Sequence, residues 1–300
     1  MANRALLVGL NRYPDPASRL QGCVNDVLAM SRLLQRGFGF DATGEIRLLT
    51  DERATTARIV ERLEWLVRGS AAGDVLVFHF SGHGSQVRDR HGDELDDHLD
   101  EIICPYDLDW DRPFTDDDLG RTLEPAAEGA HLVAVLDCCH AGTGLREPEP
   151  RPLPDRFRYL GPPADILHRL ARPLDAGGEA GRGADSACQV DPIRRFGTSA
   201  AGRGAILIAA CRADQSAADA WIDGGFHGAL TYFLCRALAD RGHRASYRTL
   251  IGDLRRLLRQ RQFQQVPQLE CSTALAGRLA FAPFGAARET SPALHGVLKE

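Results

Sequence analysis

Two short segments carry the side chains able to do covalent chemistry. Ser81-Gly82-His83-Gly84 closes the apolar run Asp74–Phe80, and Asp137-Cys138-Cys139-His140-Ala141-Gly142 closes the apolar run His131–Asp137. An imidazole and a thiol at the ends of neighbouring strands make a base and nucleophile pair. A thiol on its own is largely protonated at neutral pH and needs that base. Cys139 is the candidate nucleophile and His83 the candidate base, with Gly82 and Gly84 allowing backbone to approach a substrate closely. Strand alternation sends Cys138 to the opposite face and into the core. Cys104, Cys188, Cys211, Cys235 and Cys271 have no polar company in the sequence and read as small buried hydrophobes; no CxxC pair occurs. A zinc site built from His83, Cys138, Cys139 and His140 is the competing use of these side chains. Adjacent cysteines are poorly placed to ligate one tetrahedral ion.

Side chains at strand ends need a sheet to hold them, and the rest of the sequence supplies one. Short apolar runs alternate with longer amphipathic ones, the pattern of a mainly parallel sheet covered on both faces. Strands are expected at Ala5–Leu10, Ile46–Leu49, Asp74–Phe80, His131–Asp137 and Ala205–Cys211. Helices are expected at Val24–Leu34, Ala57–Arg68, 228–238 and Tyr247–Arg261. In such sheets, active sites form where loops leave the carboxyl ends of strands, where His83 and Cys139 stand. Residues 146–173 hold seven of the sixteen prolines, glycines follow, and ten arginines fall within 146–204. That composition reads as a linker or surface excursion.

Three hundred residues, 44% hydrophobic and 26% charged, suffice for a substantial core. A net charge of −5 argues against a nucleic-acid surface. No run reaches the ~18 apolar residues of a membrane span and the N-terminal run is too short for a secretory segment, so a cytoplasmic chain is expected. Thirteen of the forty-one acidic residues lie between Asp89 and Asp118, a candidate cation site, whereas Lys299 is the only lysine.

The combination Leu20-Gln21-Gly22-Cys23-Val24-Asn25-Asp26, Phe80-Ser81-Gly82-His83-Gly84-Ser85-Gln86, Gly92-Asp93-Glu94 and Asp137-Cys138-Cys139-His140-Ala141-Gly142-Thr143 resembles the metacaspases and their bacterial relatives, the orthocaspases, among the caspase-like cysteine peptidases. Ala209–Ala217 and Gly224–Thr231 resemble the start of the small subdomain; Ala141 stands where the family has serine. The resemblance implies a caspase-like α/β fold with a six-stranded, mostly parallel sheet flanked by helices. It divides the chain into a large subdomain (1–145), a linker (146–204), a small subdomain (205–284) and a tail (285–300). It implies a cysteine endopeptidase using His83 and Cys139 and working as a monomer. We expect the backbone N–H groups of Gly84 and Cys139 to hold the oxyanion. Asp26 and Asp137 suit a guanidinium or ammonium ion, and the resemblance implies that Cys23, Asp26, Ser81 and Asp137 line a pocket for arginine or lysine before the cut, not aspartate. Self-cleavage among the linker arginines is expected at one or two sites. The resemblance also implies a calcium site at Asp100, Asp116 and Asp117, its fourth position falling on Arg146 beside Glu147. A catalytically idle binding module of the same fold is the alternative from another functional class.

Overall fold

The computed structural model describes residues 2–88, 99–139, 156–166, 205–212 and 214–282. Its centre is a six-stranded sheet built from β1 (Asn3–Gly9), β2 (Ile46–Thr50), β3 (Val75–Ser81), β6 (His131–Asp137), β8 (Ala205–Ala209) and β11 (Gln268–Glu270). The order is β11-β8-β6-β3-β1-β2, with every pairing parallel except β11 on β8. β3 and β6 are buried along their whole length, as expected for central parallel strands covered on both faces.

Alternate residues of these strands feed two separate cores. Val77, Val133 and Val135 face one side and pack with α1 (Cys23–Phe38), α4 (Ala229–Asp240) and α5 (Tyr247–Gln260), through Val27, Met30, Leu234, Leu254 and others. Leu76, Phe78, Leu132 and Ala134 face the other side, against α2 (Thr56–Val67) and α3 (Asp116–Leu123), through Ile59, Leu63, Leu119 and Leu123. The period-2 pattern of a strand thus sorts its side chains between the two helical layers. α1 ends at Gly39, whose φ of 73° is the left-handed C-cap conformation that glycine adopts without strain. A further short helix, α6 (Thr273–Ala276), lies near the end of the described chain.

Two small sheets sit outside the central one, and the sequence pattern did not reveal them. β4 (Gly84–Arg88) and β5 (Leu99–Ile103) form an antiparallel hairpin that begins directly after His83. β9 (Ala218–Ile222) and β10 (Gly225–Gly228) form another, and β7 (Arg156–Phe157) joins its free edge antiparallel to β9. Residues 156–160 therefore depart from the expected surface excursion. β7 pairs into a sheet and Arg158 is the largest fully buried side chain of the described residues. An arginine in a proline-rich stretch reads as solvated, and only the tertiary partners described next make its burial affordable.

Candidate active site

His83 and Cys139 leave adjacent parallel strands, since Ser81 of β3 pairs with Asp137 of β6. His83 is held from several sides. Its backbone N–H donates to the Tyr13 hydroxyl (2.8 Å), the Tyr13 ring lies against the imidazole at 4.8 Å between centroids, and His83 Nε2 bonds the Ser18 carbonyl at 2.7 Å. A carbonyl only accepts, so Nε2 carries the proton and Nδ1 is the basic nitrogen. Nδ1 is buried without a hydrogen-bond partner among the described residues. Burial, partly offset by the Ser18 carbonyl, lowers the His83 pKa to about 4.

Cys138 and Cys139 separate as the strand alternation requires. Cys138 enters the core shared with α2 and α3, and burial pushes its thiol up; Cys139 faces the α1, α4 and α5 layer. The set His83, Cys138 and Cys139 therefore does not converge as zinc ligands, and His140 lies outside the described residues. The Cys139 sulfur accepts a hydrogen bond from Ala217 N at 2.6 Å rather than bonding His83. Cys211 lies against it, and that contact with Cys139, followed by burial, raises the Cys211 thiol well above its ordinary value.

The remaining candidates converge on one object, the guanidinium of Arg158. Its Nη2 meets Asp26 Oδ2 at 2.8 Å and Asp219 Oδ1 at 3.0 Å; its Nη1 meets Asp137 Oδ1 at 3.2 Å and donates to Ser81 Oγ at 2.7 Å. All four ionised side chains are completely shielded from solvent. Asp26, in the first turn of α1, also accepts from Ser81 Oγ and Gly228 N, and Asp137 accepts from Thr231 N and Oγ1. Asp219 accepts from the backbone N–H groups of Gln21 and Gly22. Burial works to raise Asp26, but the Arg158 charge and hydrogen bonds from His227, Arg158 and Ser81 hold it below its usual value. Asp137 goes the other way, pushed up to about 6 by burial and the nearby Asp26 despite Arg158. Arg158 itself is raised: burial opposes its charge, yet Asp137, Cys23, Asp26 and Asp219 outweigh burial. Cys23 is buried at the same wall, its thiol raised chiefly by burial. A side chain at Gly228 would overlap Arg158 and Asp137, so glycine there leaves the channel open for the guanidinium.

The backbone of Arg158 is engaged as closely as its side chain. The carbonyl oxygen accepts from Gly84 N at 2.9 Å and Cys139 N at 3.1 Å, and its N–H donates to the Ala217 carbonyl at 3.1 Å. Two convergent donors on one carbonyl are the geometry of an oxyanion hole. A Cβ on Gly84 would overlap the Cys139 carbonyl, which accounts for glycine at that position. The segment before Arg158 runs along β9 as an added strand, Arg156 opposite Asp219 and Phe157 opposite Ala218. Residues 156–160 are thus laid out as a peptide substrate is, with arginine in an acidic pocket and the next peptide bond at the Cys139 backbone.

Comparison with known proteins decides the family. The family described as "Metacaspase, peptidase C14 domain" matches residues 3–148. The chain is 31% identical to Metacaspase-1 of Meyerozyma guilliermondii, covering 90% of this chain and 69% of that one, and 32% identical to Metacaspase-1 of Scheffersomyces stipitis, covering 90% and 70%. The chain belongs to the metacaspase family. This metacaspase therefore comes from a family of cysteine peptidases. Its fold is also that of solved structures. Protein GSU0716 of Geobacter sulfurreducens superposes with a TM-score of 0.63 at 23% identity, covering 94% of this chain and 99% of that one. Caspase-1 of Spodoptera frugiperda superposes at 0.54 and 11% identity, covering 90% and 86%.

In this metacaspase the sequence reading missed Asp219, Ala217, Tyr13 and the occupant Arg158. Asp219 lies in an alanine-rich stretch with no motif around it, and only the β9 pairing brings it to the pocket. The acids expected to take calcium do share one neighbourhood: burial, followed by Glu101, Asp117 and Asp100, pushes Asp116 up to about 7. Among the described residues, however, no three His, Cys, Asp or Glu side chains are arranged to hold a metal ion. Arg146 and Glu147, the fourth expected position and its neighbour, lie outside the described residues. Among the described residues no helix is long and apolar enough to cross a membrane.

Proposed function

We propose that this metacaspase is an endopeptidase cutting after arginine or lysine through Cys139 and His83, and that its first substrate is its own Arg158–Tyr159 bond. The observation that carries the proposal is the seating of Arg158, with its guanidinium against Asp26, Asp137 and Asp219 and its carbonyl against Gly84 N and Cys139 N. The planar guanidinium meets carboxylates on both of its terminal nitrogens, an arrangement a lysine ammonium cannot reproduce, so arginine is the better substrate. Aspartate in that pocket would be repelled by three carboxylates.

The chemistry follows from the same contacts. Cys139 leaves the Ala217 backbone, whose N–H it accepts from and whose carbonyl its S–H meets, and gives its proton to His83 Nδ1, the nitrogen that the Ser18 carbonyl leaves unprotonated. The thiolate forms a bond to the arginine carbonyl carbon while the carbonyl π electrons move to oxygen, between the two N–H donors. Collapse breaks the C–N bond, and His83 returns the proton to the departing amine. Water then attacks the thioester, His83 taking its proton and passing it to the Cys139 sulfur as the acid leaves. The hydrogen bond from Ala217 N supports a resting state in which the thiol is held away from the base.

The test compares turnover of peptides identical except for arginine, lysine or aspartate before the reporter, using wild type and Cys139→Ala. The expected order is arginine, then lysine, with none for aspartate and none for the variant. Equal turnover by Cys139→Ala overturns the assignment, and no turnover of any peptide by wild type favours the idle binding module.

A further inference from the structure

The segment seated in the site continues past the bond to be cut, and those residues are also bound. Tyr159 makes a parallel bridge to Gly84 at the start of β4, and Leu160 N donates to the Gly84 carbonyl at 3.0 Å. Gly84 N meanwhile donates to the Arg158 carbonyl at 2.9 Å. One residue therefore holds the chain on both sides of the Arg158–Tyr159 bond. On the other flank, β9 holds Arg156 and Phe157 by antiparallel pairing. The bond lies where two small sheets each accept the chain as an added strand, a recognition mode in which main-chain hydrogen bonds supply affinity. The side chains beyond the bond are sheltered too: Tyr159 packs on one core, Leu160 on the other, and Pro162 is buried.

We propose that β4 of this metacaspase forms a binding site for the residues after the cut, and that it requires a peptide N–H two residues past the scissile bond. The inference rests on the peptidase reading above. Its physical content is leverage. Both hydrogen bonds of Gly84 straddle the reacting carbon, so the bond to the residue two places on fixes the leaving side of the peptide relative to the oxyanion donors. A donor missing there leaves the Gly84 carbonyl unsatisfied in a partly enclosed site, which costs more than the hydrogen bond alone. Substrates with proline in that position, having no N–H, are excluded on the same ground.

The probe is a synthetic peptide with the sequence of residues 155–162, Asp-Arg-Phe-Arg-Tyr-Leu-Gly-Pro. A second peptide carries an ester in place of the Tyr–Leu amide, which deletes the one N–H and adds no bulk. A third carries the ester one bond later, at Leu–Gly, where the exposed Gly161 gives a control. Products of full-length, self-processed enzyme are identified by mass, so cleavage after the fourth residue is scored alone. The expected result is a fall in kcat/KM of about tenfold for the Tyr–Leu ester, the scale of one lost hydrogen bond with an unsatisfied partner, with the Leu–Gly ester within about twofold of the parent. Equal kcat/KM for all three peptides overturns the proposal and leaves the peptidase reading standing. Failure to cut the parent peptide overturns both.

Discussion

The buried Arg158 cluster gives a prediction that can be worked through in numbers. In a Cys139→Ala background, where no cleavage intervenes, Arg158→Ala removes the one cation shared by Asp26, Asp137 and Asp219 while leaving three carboxylates fully shielded. Breaking one side of a buried ion pair costs about 3–5 kcal/mol because the remaining charge is uncompensated. At about 2–4 °C per kcal/mol for domains approaching this size, the thermal midpoint falls by about 6–20 °C. Part of that loss must be recoverable in trans, since the vacated pocket is a guanidinium site. N-acetyl-arginine amide at a hundred times its dissociation constant restores about 2.7 kcal/mol by mass action, and it leaves the Arg158 parent unmoved because the pocket is filled. Scanning calorimetry or dye-monitored melting of both proteins, with N-acetyl-glutamine amide as a control, reads both effects. A variant that melts with its parent, or that both amides stabilise equally, refutes the pocket assignment.

Four further outcomes follow from the site. Asp219→Asn removes a charged partner of the arginine and lowers kcat/KM for arginyl peptides by about tenfold to a hundredfold, with a smaller effect on lysyl peptides; an unchanged ratio contradicts the role of Asp219. Gly84→Ala drives a methyl group into the Cys139 carbonyl and displaces an oxyanion donor, so kcat falls about a hundredfold to a thousandfold while the fold is retained by circular dichroism. Tyr13→Phe deletes the hydroxyl that accepts from His83 N; kcat drops several-fold and the acid limb of the pH–rate profile shifts, whereas a merely structural Tyr13 would change only the melting point. Burial holds His79, His83 and His131 at about 4, below the ordinary 6.5. The unfolded chain thus binds more protons between those values, and stability falls as pH drops from 6.5 towards 4, by up to about 3 kcal/mol for the fully buried His79. Melting midpoints that stay level from pH 7 to 4.5 contradict this.

The central strands were legible in the sequence for a physical reason. β3 and β6 are buried on both faces, so Val75–Phe80 and His131–Leu136 read as largely apolar runs with only His79 and His131 polar, and the polar residues that end them stand out. The β4–β5 and β9–β10 hairpins were not legible, because Gly84–Arg88 and Gly225–Gly228 are short, mixed in polarity and shaped by pairing across the chain. Asp26 taken locally reads as any acid in a helix first turn; only the family resemblance put it in a pocket, and the partner it meets there, Arg158, is 132 residues away. Arg158 itself was one of ten arginines in a proline-rich stretch, and nothing local separates the buried one from the rest. What distinguishes it is that three carboxylates from α1, β6 and β9 meet at one point, a property of the topology.

The most direct measurement is the intact mass of purified wild type beside Cys139→Ala. Seating of the Arg158 carbonyl against Gly84 N and Cys139 N predicts wild-type fragments ending at Arg158 and beginning at Tyr159, with the Cys139→Ala chain whole. A wild-type chain that stays intact at this bond under conditions where it cuts arginyl peptides, or a Cys139→Ala chain cut there equally, would contradict the account.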